Sequence, residues 1–228
     1  MKEEIKKTYK VTYVAKETPS VTTLELRATD GNPEYIPGQF INVYFEEFGK
    51  GEGKSYSISS ASKDIAITVR NIGKFSNKLS NMKVGDILIG TLPYGYFYNE
   101  DHSRPIVMIA GGIGIAPFRS MIYNSLNIDS NKEIKLFYSN KSYDEIIFKK
   151  EFDILSRKFA TFSVKYFITQ QSGTNSNITN RRIEIKDIYI SNNYDYFICG
   201  SIGFVRDFWT SIKKAGIDEM NIYTESFF

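Results

Sequence analysis

A length of 228 residues suits one large domain or two small ones, and 42% apolar with 24% charged residues exclude a disordered tail protein or a fibrous repeat. The net charge is only +3, and the lysine runs are interleaved with Glu and Asp, so there is no concentrated basic face and nucleic-acid binding is not expected. A single cysteine, Cys199, excludes an internal disulfide, a cysteine-rich zinc site and a cluster held by four cysteines of this chain.

The lone thiol points to a reducing compartment. The opening residues 1–7 are charged where a signal peptide is apolar, and the longest apolar run, residues 106–118, is broken by glycines and too short to span a bilayer. A cytoplasmic chain without membrane insertion is therefore expected. Aromatic residues make up 15% of the chain, mostly 16 Tyr and 17 Phe, which suits flat surfaces for a ring-shaped cofactor.

From residue 9 to 91 the pattern is one of short alternating or β-branched runs, at 9–15, 21–27, 40–45, 55–59, 65–70 and 87–91, punctuated by Pro37-Gly38 and the glycine-rich loop 49–53. One helix, near residues 76–81, interrupts them. The spacing predicts an antiparallel β-barrel or sandwich over residues 1–100. After the polar link 99–105 the rhythm changes. Buried strands at 106–110, 134–138, 163–168 and 196–199 alternate with helices at 116–126, 148–158 and 205–215, which predicts a parallel-sheet α/β domain over residues 101–228.

Three stretches carry chemistry. Gly111-Gly112-Ile113-Gly114-Ile115-Ala116-Pro117 joins a strand end to a helix start, where glycines let a phosphate approach backbone N–H groups; the same stretch also reads as a tight turn without a ligand. Lys54-Ser55-Tyr56-Ser57 opens a strand, and Gly73-Lys74-Phe75-Ser76 opens the lone helix of the first half. There Tyr56 either lies against a flat heterocycle or packs in a core, and Ser76 either meets an anion or only caps its helix. Phe197-Ile198-Cys199-Gly200-Ser201 ends another strand, with Cys199 either facing a ligand crevice or plugging an apolar interior. The only histidine, His102, lies in the polar link, which leaves little material for a Ser-His-Asp hydrolase or a His-rich metal site.

The order of these motifs resembles the ferredoxin–NADP reductase family, in which an FAD-binding barrel precedes a nicotinamide-binding α/β domain. The resemblance runs from Pro37-Gly38-Gln39-Phe40 to Glu225-Ser226-Phe227-Phe228. The family's Arg-x-Tyr-Ser stands here as Lys54-Ser55-Tyr56-Ser57, which implies Tyr56 against the isoalloxazine and Ser57 near its N5; Lys54 keeps the charge but loses the bidentate fork of Arg. By the same resemblance Gly73, Lys74, Phe75 and Ser76, with Arg70 nearby, hold the flavin pyrophosphate. Residues 92–97 match a Gly-Pro-x-Gly-x-Phe turn, with Leu92 for its first glycine.

Gly111, Gly112, Gly114, Ile115, Ala116 and Pro117 are implied to bind the nicotinamide dinucleotide. Cys199-Gly200-Ser201 matches a Cys-Gly-Pro loop beside the nicotinamide, with Ser for Pro. Glu225 and Phe227 match a Glu-x-Phe signature near the flavin, with Phe227 or Phe228 over the ring. Ser57 and Cys199 are the expected catalytic pair, acting by alignment. Lys141 is the candidate for a 2′-phosphate; with no Ser-x-Arg pair beside it, NADH and NADPH are both expected to serve, with a lean to NADH. The resemblance implies a flavoprotein without an iron–sulfur domain that moves hydride from NADH or NADPH to FAD and single electrons to a ferredoxin, a flavodoxin or an oxygenase component. Two other readings keep the fold: an electron-transfer subunit of a larger complex, or a flavin-free binding module.

Overall fold

The computed structural model describes residues 5–49, 52–99, 103–171 and 178–227; Lys50 and Gly51 of the glycine-rich loop, His102 and Phe228 lie outside the described residues. The chain divides into two compact units, Met1–Tyr98 together with Ala116–Met121, and Asn99–Ile115 together with Ile122–Phe228. No helix among the described residues is long and apolar enough to cross a membrane.

In the first unit β1 (Lys6–Thr18), β2 (Val21–Ala28), β3 (Phe40–Tyr44), β4 (Lys54–Ser57), β5 (Ile65–Arg70) and β6 (Ile87–Thr91) form an antiparallel sheet in the order β4-β3-β6-β1-β2-β5. The two ends of that order meet. Ile58 bridges Ile67, and the Ser59 amide donates to the Ala66 carbonyl at 2.8 Å, so the sheet closes into a barrel at this point. Inward positions such as Val11, Leu24, Leu26, Ile41, Val43 and Ile67 are fully buried in one cluster, each worth about 1.5–3 kcal/mol relative to exposure. The strand β1 runs well past residues 9–15 at both ends, because irregularities between Val11 and Tyr13 and between Lys16 and Thr18 let it bend around the barrel without losing its partners. Before β3, Gln39 N–H donates to Ile36 C=O at 2.9 Å, with Pro37 and the positive-φ Gly38 at the two middle positions, the chemistry of a type II turn.

The barrel also buries hydroxyls, and several of them find partners within its wall, whereas that of Thr22 has none among the described residues. Thr23 and Thr68 share a hydrogen bond of 3.0 Å, Thr68 and Ser59 one of 2.7 Å, and the Tyr9 hydroxyl donates to the Thr91 carbonyl at 2.8 Å. The short helix α1 (Lys74–Ser80) starts before residue 76, since the Ser76 hydroxyl closes the first turn from inside instead of preceding it: it accepts from Ile72 and Gly73 N–H at 3.0 and 3.1 Å.

The second unit has a six-stranded sheet in which β7 (Ile106–Gly111), β8 (Ile134–Asn140), β9 (Phe162–Ile168), β10 (Ile178–Thr179), β11 (Asp195–Ser201) and β12 (Ile222–Phe227) take the order β10-β9-β8-β7-β11-β12, all neighbours parallel. Its helices are α3 (Lys149–Lys158), α4 (Ile202–Lys214) and the part of α2 (Ala116–Ile128) from Ile122 onward. Residues 106–110 and 195–200 are buried at every position, the pattern of strands covered on both faces. Two strands lay hidden in the sequence: β10 is only two residues long, and the aromatic tail is itself a strand, β12. The link after the barrel is tied to the start of β11. There the buried Asp195 carboxylate pairs with Arg104 at 2.9 Å and accepts from the Asn99 amide at 2.7 Å.

The phenols of Tyr9 and Tyr56 are both pushed up to about 12, by burial in each case and secondarily by Asp30 for Tyr9. An exposed tyrosine ionises near pH 10, so the stability these neutral phenols contribute is complete below about pH 10 and is lost as pH rises toward 12. Urea unfolding between pH 9 and 11.5 is expected to show stability falling by up to about 1.4 kcal/mol per pH unit for each phenol once pH passes 10. Tyr9→Phe should remove one share of that fall, and a flat profile would contradict the burial.

Candidate functional site

In the barrel unit a candidate site is built on β4 and the end of β5. Lys54 and Ser55 are exposed, Tyr56 is half-buried and Ser57 is buried. The Ser55 hydroxyl donates to the Asn42 side-chain oxygen at 2.7 Å. Tyr56 lies 6.5 Å from Phe75 with ring planes 21° apart, a near-parallel pair at the margin of the barrel core. Its phenol is neutral at any ordinary pH. Phe75 is buried against Phe45 and Phe48, so its ring packs the core, and only its backbone and its neighbours are free to meet a phosphate.

Counted along the antiparallel direction from the Ile58–Ile67 bridge, Arg70 falls opposite Ser55. Two of its guanidinium nitrogens, Nε and Nη2, are buried without a hydrogen-bond partner among the described residues. An orphaned pair of charged N–H groups is costly, and an anion is what satisfies it. The segment that follows, residues 71–74, is exposed, and a Cβ built on Gly73 would meet nothing within 4 Å. This half therefore offers a flat neutral ring, a fork of unpaired donors and an open backbone segment, which fits a flavin with its pyrophosphate. Ser76 is engaged in its own helix turn, and Lys74 is exposed.

In the α/β unit a second candidate site is built at the carboxyl ends of β7 and β11, where open parallel sheets take ligands. After β7 the chain makes a 3-10 turn over Gly112–Ile115 and enters α2 with Pro117 in the first turn. Residues 111–113 are half-exposed, whereas Gly114, Ile115, Ala116 and Pro117 are buried, so contact with a ligand falls to the first part of the motif. The later residues hold the turn in place. A Cβ on Gly114 would lie 2.3 Å from the Cys199 carbonyl oxygen and 2.7 Å from the Gly200 nitrogen: the 3-10 turn rests directly on the end of β11. The ring of Phe204 occupies the space beside Gly111 and Gly200, 3.2 and 2.8 Å from their would-be Cβ atoms. The glycine spacing thus reflects packing as much as phosphate access.

Cys199 is fully buried, and desolvation, with the Glu225 charge, pushes its thiol well up, so it is a neutral thiol. Ser201 is exposed and caps α4, its hydroxyl accepting from Phe204 N–H at 3.4 Å, which gives a physical reason for Ser where the family pattern has Pro. In the sheet Glu225 stands beside Cys199 and Phe227 beside Ser201, so the half-buried Phe227 belongs to a hydrogen-bonded strand. Lys141 is exposed just after β8, its carbonyl accepting from Gln170 N–H at 2.9 Å. Sequence reasoning missed Phe204; its only signal is its place three residues after the cap Ser201.

Gly114→Ala is expected to weaken NAD⁺ binding at least about tenfold and to cost about 2 kcal/mol or more in urea unfolding, because backbone atoms must move to admit the methyl group. Gly73→Ala, in open space with extended backbone, should change stability by less than about 0.5 kcal/mol. Equal costs for the two would refute the close approach at Gly114.

Residues 108–209 match the family model described as an oxidoreductase NAD-binding domain. The chain is 27% identical over 230 residues to a flavohemoprotein of Candida norvegensis, covering 95% of this chain and 56% of that protein. It is 26% identical over 200 residues to the toluate 1,2-dioxygenase electron transfer component of Pseudomonas putida, covering 85% and 59%. The chain spans somewhat over half the length of these relatives. Its fold superposes on the FAD/NAD-binding domain of nitric oxide dioxygenase from Vibrio cholerae with a TM-score of 0.87 at 25% identity, covering 97% of this chain and 98% of that one. The ferredoxin–NADP⁺ reductase of Neisseria gonorrhoeae, solved with FAD and NADP, shares the fold at a TM-score of 0.83 and 22% identity, with 99% and 100% covered. The barrel and the parallel-sheet unit thus share the fold of these reductases, and residues 108–209, a little under half of the chain, match the oxidoreductase NAD-binding domain family.

Proposed function

We propose that the chain is an FAD-dependent NAD(P)H reductase that passes single electrons to a separate acceptor such as a ferredoxin, a flavodoxin or an oxygenase component, and that it works in the cytoplasm. In this reading residues 1–100 are the flavin domain and 101–228 the nicotinamide domain. The observation that carries the flavin half is Arg70, with two buried, unpartnered guanidinium nitrogens just before an exposed, glycine-bearing segment. A guanidinium fork fits two oxygens of a pyrophosphate; the exposed Lys54 ammonium adds charge without that geometry.

Tyr56 supplies a ring that stays neutral at working pH, so its stacking is independent of protonation. Ser57 orients the flavin through its hydroxyl, and residues 74–76 hold the phosphates through backbone N–H groups, with Gly73, whose own N–H goes to Ser76, keeping the approach open. Residues 111–117 and 199–201 orient the dinucleotide, with Cys199 as a neutral, desolvated wall. Glu225 and Phe227 border the flavin ring. A flavin held there would supply hydride acceptance from a nicotinamide and release of electrons singly. The chain's part is alignment and exclusion of water, and no acid–base dyad is needed. Lys141 is the one cation between Ser139 and Tyr143, so NADH and NADPH both serve, with a discrimination below about a hundredfold.

A second reading, an electron-transfer subunit of a larger complex, is favoured by the names of two relatives: the toluate dioxygenase component and the sulfhydrogenase 2 subunit gamma of Pyrococcus furiosus, 33% identical over 122 residues covering 53% of this chain and 42% of that one. Activity with a soluble acceptor only after copurified subunits are restored would favour it.

Extraction of the bound nucleotide is expected to yield one FAD per chain, and rapid mixing with NADH or NADPH should reduce it. Arg70→Gln should weaken FAD binding about 10- to 100-fold, the worth of charge-assisted hydrogen bonds. Ser57→Ala and Cys199→Ala should slow flavin reduction while FAD stays bound. A colourless protein that ignores added FAD would sink the reductase reading, and FMN alone would sink the choice of FAD.

A further inference from the structure

Tyr138, on β8 opposite Ala110 of β7, is fully buried, yet its hydroxyl is used twice. It donates to the Gly112 carbonyl at 3.0 Å and accepts from the Ile147 N–H at 3.3 Å. The two partners belong to different segments. Gly112 opens the 3-10 turn of the glycine motif, with φ of +55°, and Ile147 lies in the segment entering α3, just before Phe148, the only described non-glycine residue with positive φ (59°).

We infer that Tyr138 is a positioning residue for the dinucleotide-binding loop; the inference rests on the reading of residues 111–117 given above. A trans peptide holds its C=O and the following N–H in opposite directions. With the Gly112 oxygen drawn toward Tyr138, inside the sheet, the Ile113 N–H is turned the other way, at the half-exposed stretch where the phosphates of a dinucleotide would lie. The hydroxyl also ties the loop to the segment that leads into α3, so the loop cannot rotate this peptide without giving up the bond. Bulk alone does not explain the residue, since Phe fills nearly the same volume and only the hydroxyl reaches both partners.

A neighbouring tyrosine gives the comparison. Tyr166 is also fully buried, its ring 6.3 Å from that of Tyr138, but its hydroxyl donates to Asp153 of α3 at 3.0 Å and has no part in the loop. Tyr138→Phe and Tyr166→Phe remove the same atom from the same kind of surroundings, and only the first removes the loop's anchor.

The test uses the full chain with its flavin. Kd for NAD⁺ and NADP⁺ is measured by calorimetry, and KM and kcat for NADH and NADPH with ferricyanide as acceptor. Tyr138→Phe is expected to raise Kd and KM about three- to tenfold, with kcat within about twofold and bound flavin unchanged, the worth of one net hydrogen bond. Tyr166→Phe should lower thermal stability and leave Kd as in the wild type. An unchanged Kd in Tyr138→Phe, or equal weakening in both variants, would overturn the inference. A wild type that binds dinucleotide without reducing its flavin would defeat the proposed reductase, while the Kd comparison still decides the role of Tyr138. A wild type that binds neither dinucleotide would overturn both.

Discussion

The contact between Gly114 and the end of β11 is the constraint on which the α/β site depends. Backbone meets backbone there with no room for a Cβ, so the turn after β7 and the carboxyl end of β11 are one solid piece. Close packing of this kind transmits position well, because neither side has a flexible side chain to absorb a shift. The half-exposed residues 111–113 and the exposed Ser201 therefore owe their placement to a contact that involves neither of them directly. Phe204 adds the other wall: α4 begins at the Ser201 cap and at once lays a ring beside Gly111 and Gly200.

The barrel solves a different problem. Its inner face is a continuous apolar cluster, but its wall buries Thr23, Thr68, Ser59 and the Tyr9 hydroxyl, and each finds a partner within the wall. The two unpartnered nitrogens of Arg70 are charged donors, costlier to leave unpaired than the Thr22 hydroxyl that the barrel also buries without a partner among the described residues. An anion at that point would satisfy both nitrogens. Tyr56 is intermediate in kind. Its ring packs beside Phe75 on one hand and remains half-exposed on the other, which is what a stacking surface anchored to a core requires.

The electrostatics of the second unit are arranged away from the glycine motif. The Arg104–Asp195 pair, with Asn99, locks the link to the beginning of β11, at the opposite end of that strand from Cys199. Near the glycine motif the thiol of Cys199 is buried and protonated beside the Glu225 carboxylate, and Tyr138 and Ser201 offer hydroxyls. Such a site orients a ligand by shape and hydrogen bonds, which suits a reaction whose chemistry belongs to bound cofactors.

The change of rhythm near residue 100 was legible in the sequence because strand and helix periods are local properties of a few residues, and alternating runs differ from buried runs wherever they occur. Lys54-Ser55-Tyr56-Ser57 and the Gly111–Pro117 stretch were legible for the same reason, each being short and contiguous. Tertiary structure decided the rest. It made the tail residues 222–227 an edge strand, which their composition did not announce, because only pairing with β11 gives that segment hydrogen-bond partners. It divided the glycine motif into a half-exposed part and a packed part, a distinction set by Cys199, Gly200 and Phe204 some ninety residues away. It gave Arg70 its unpaired nitrogens and Tyr138 its two bonds, because burial and hydrogen-bond geometry arise only when distant segments meet.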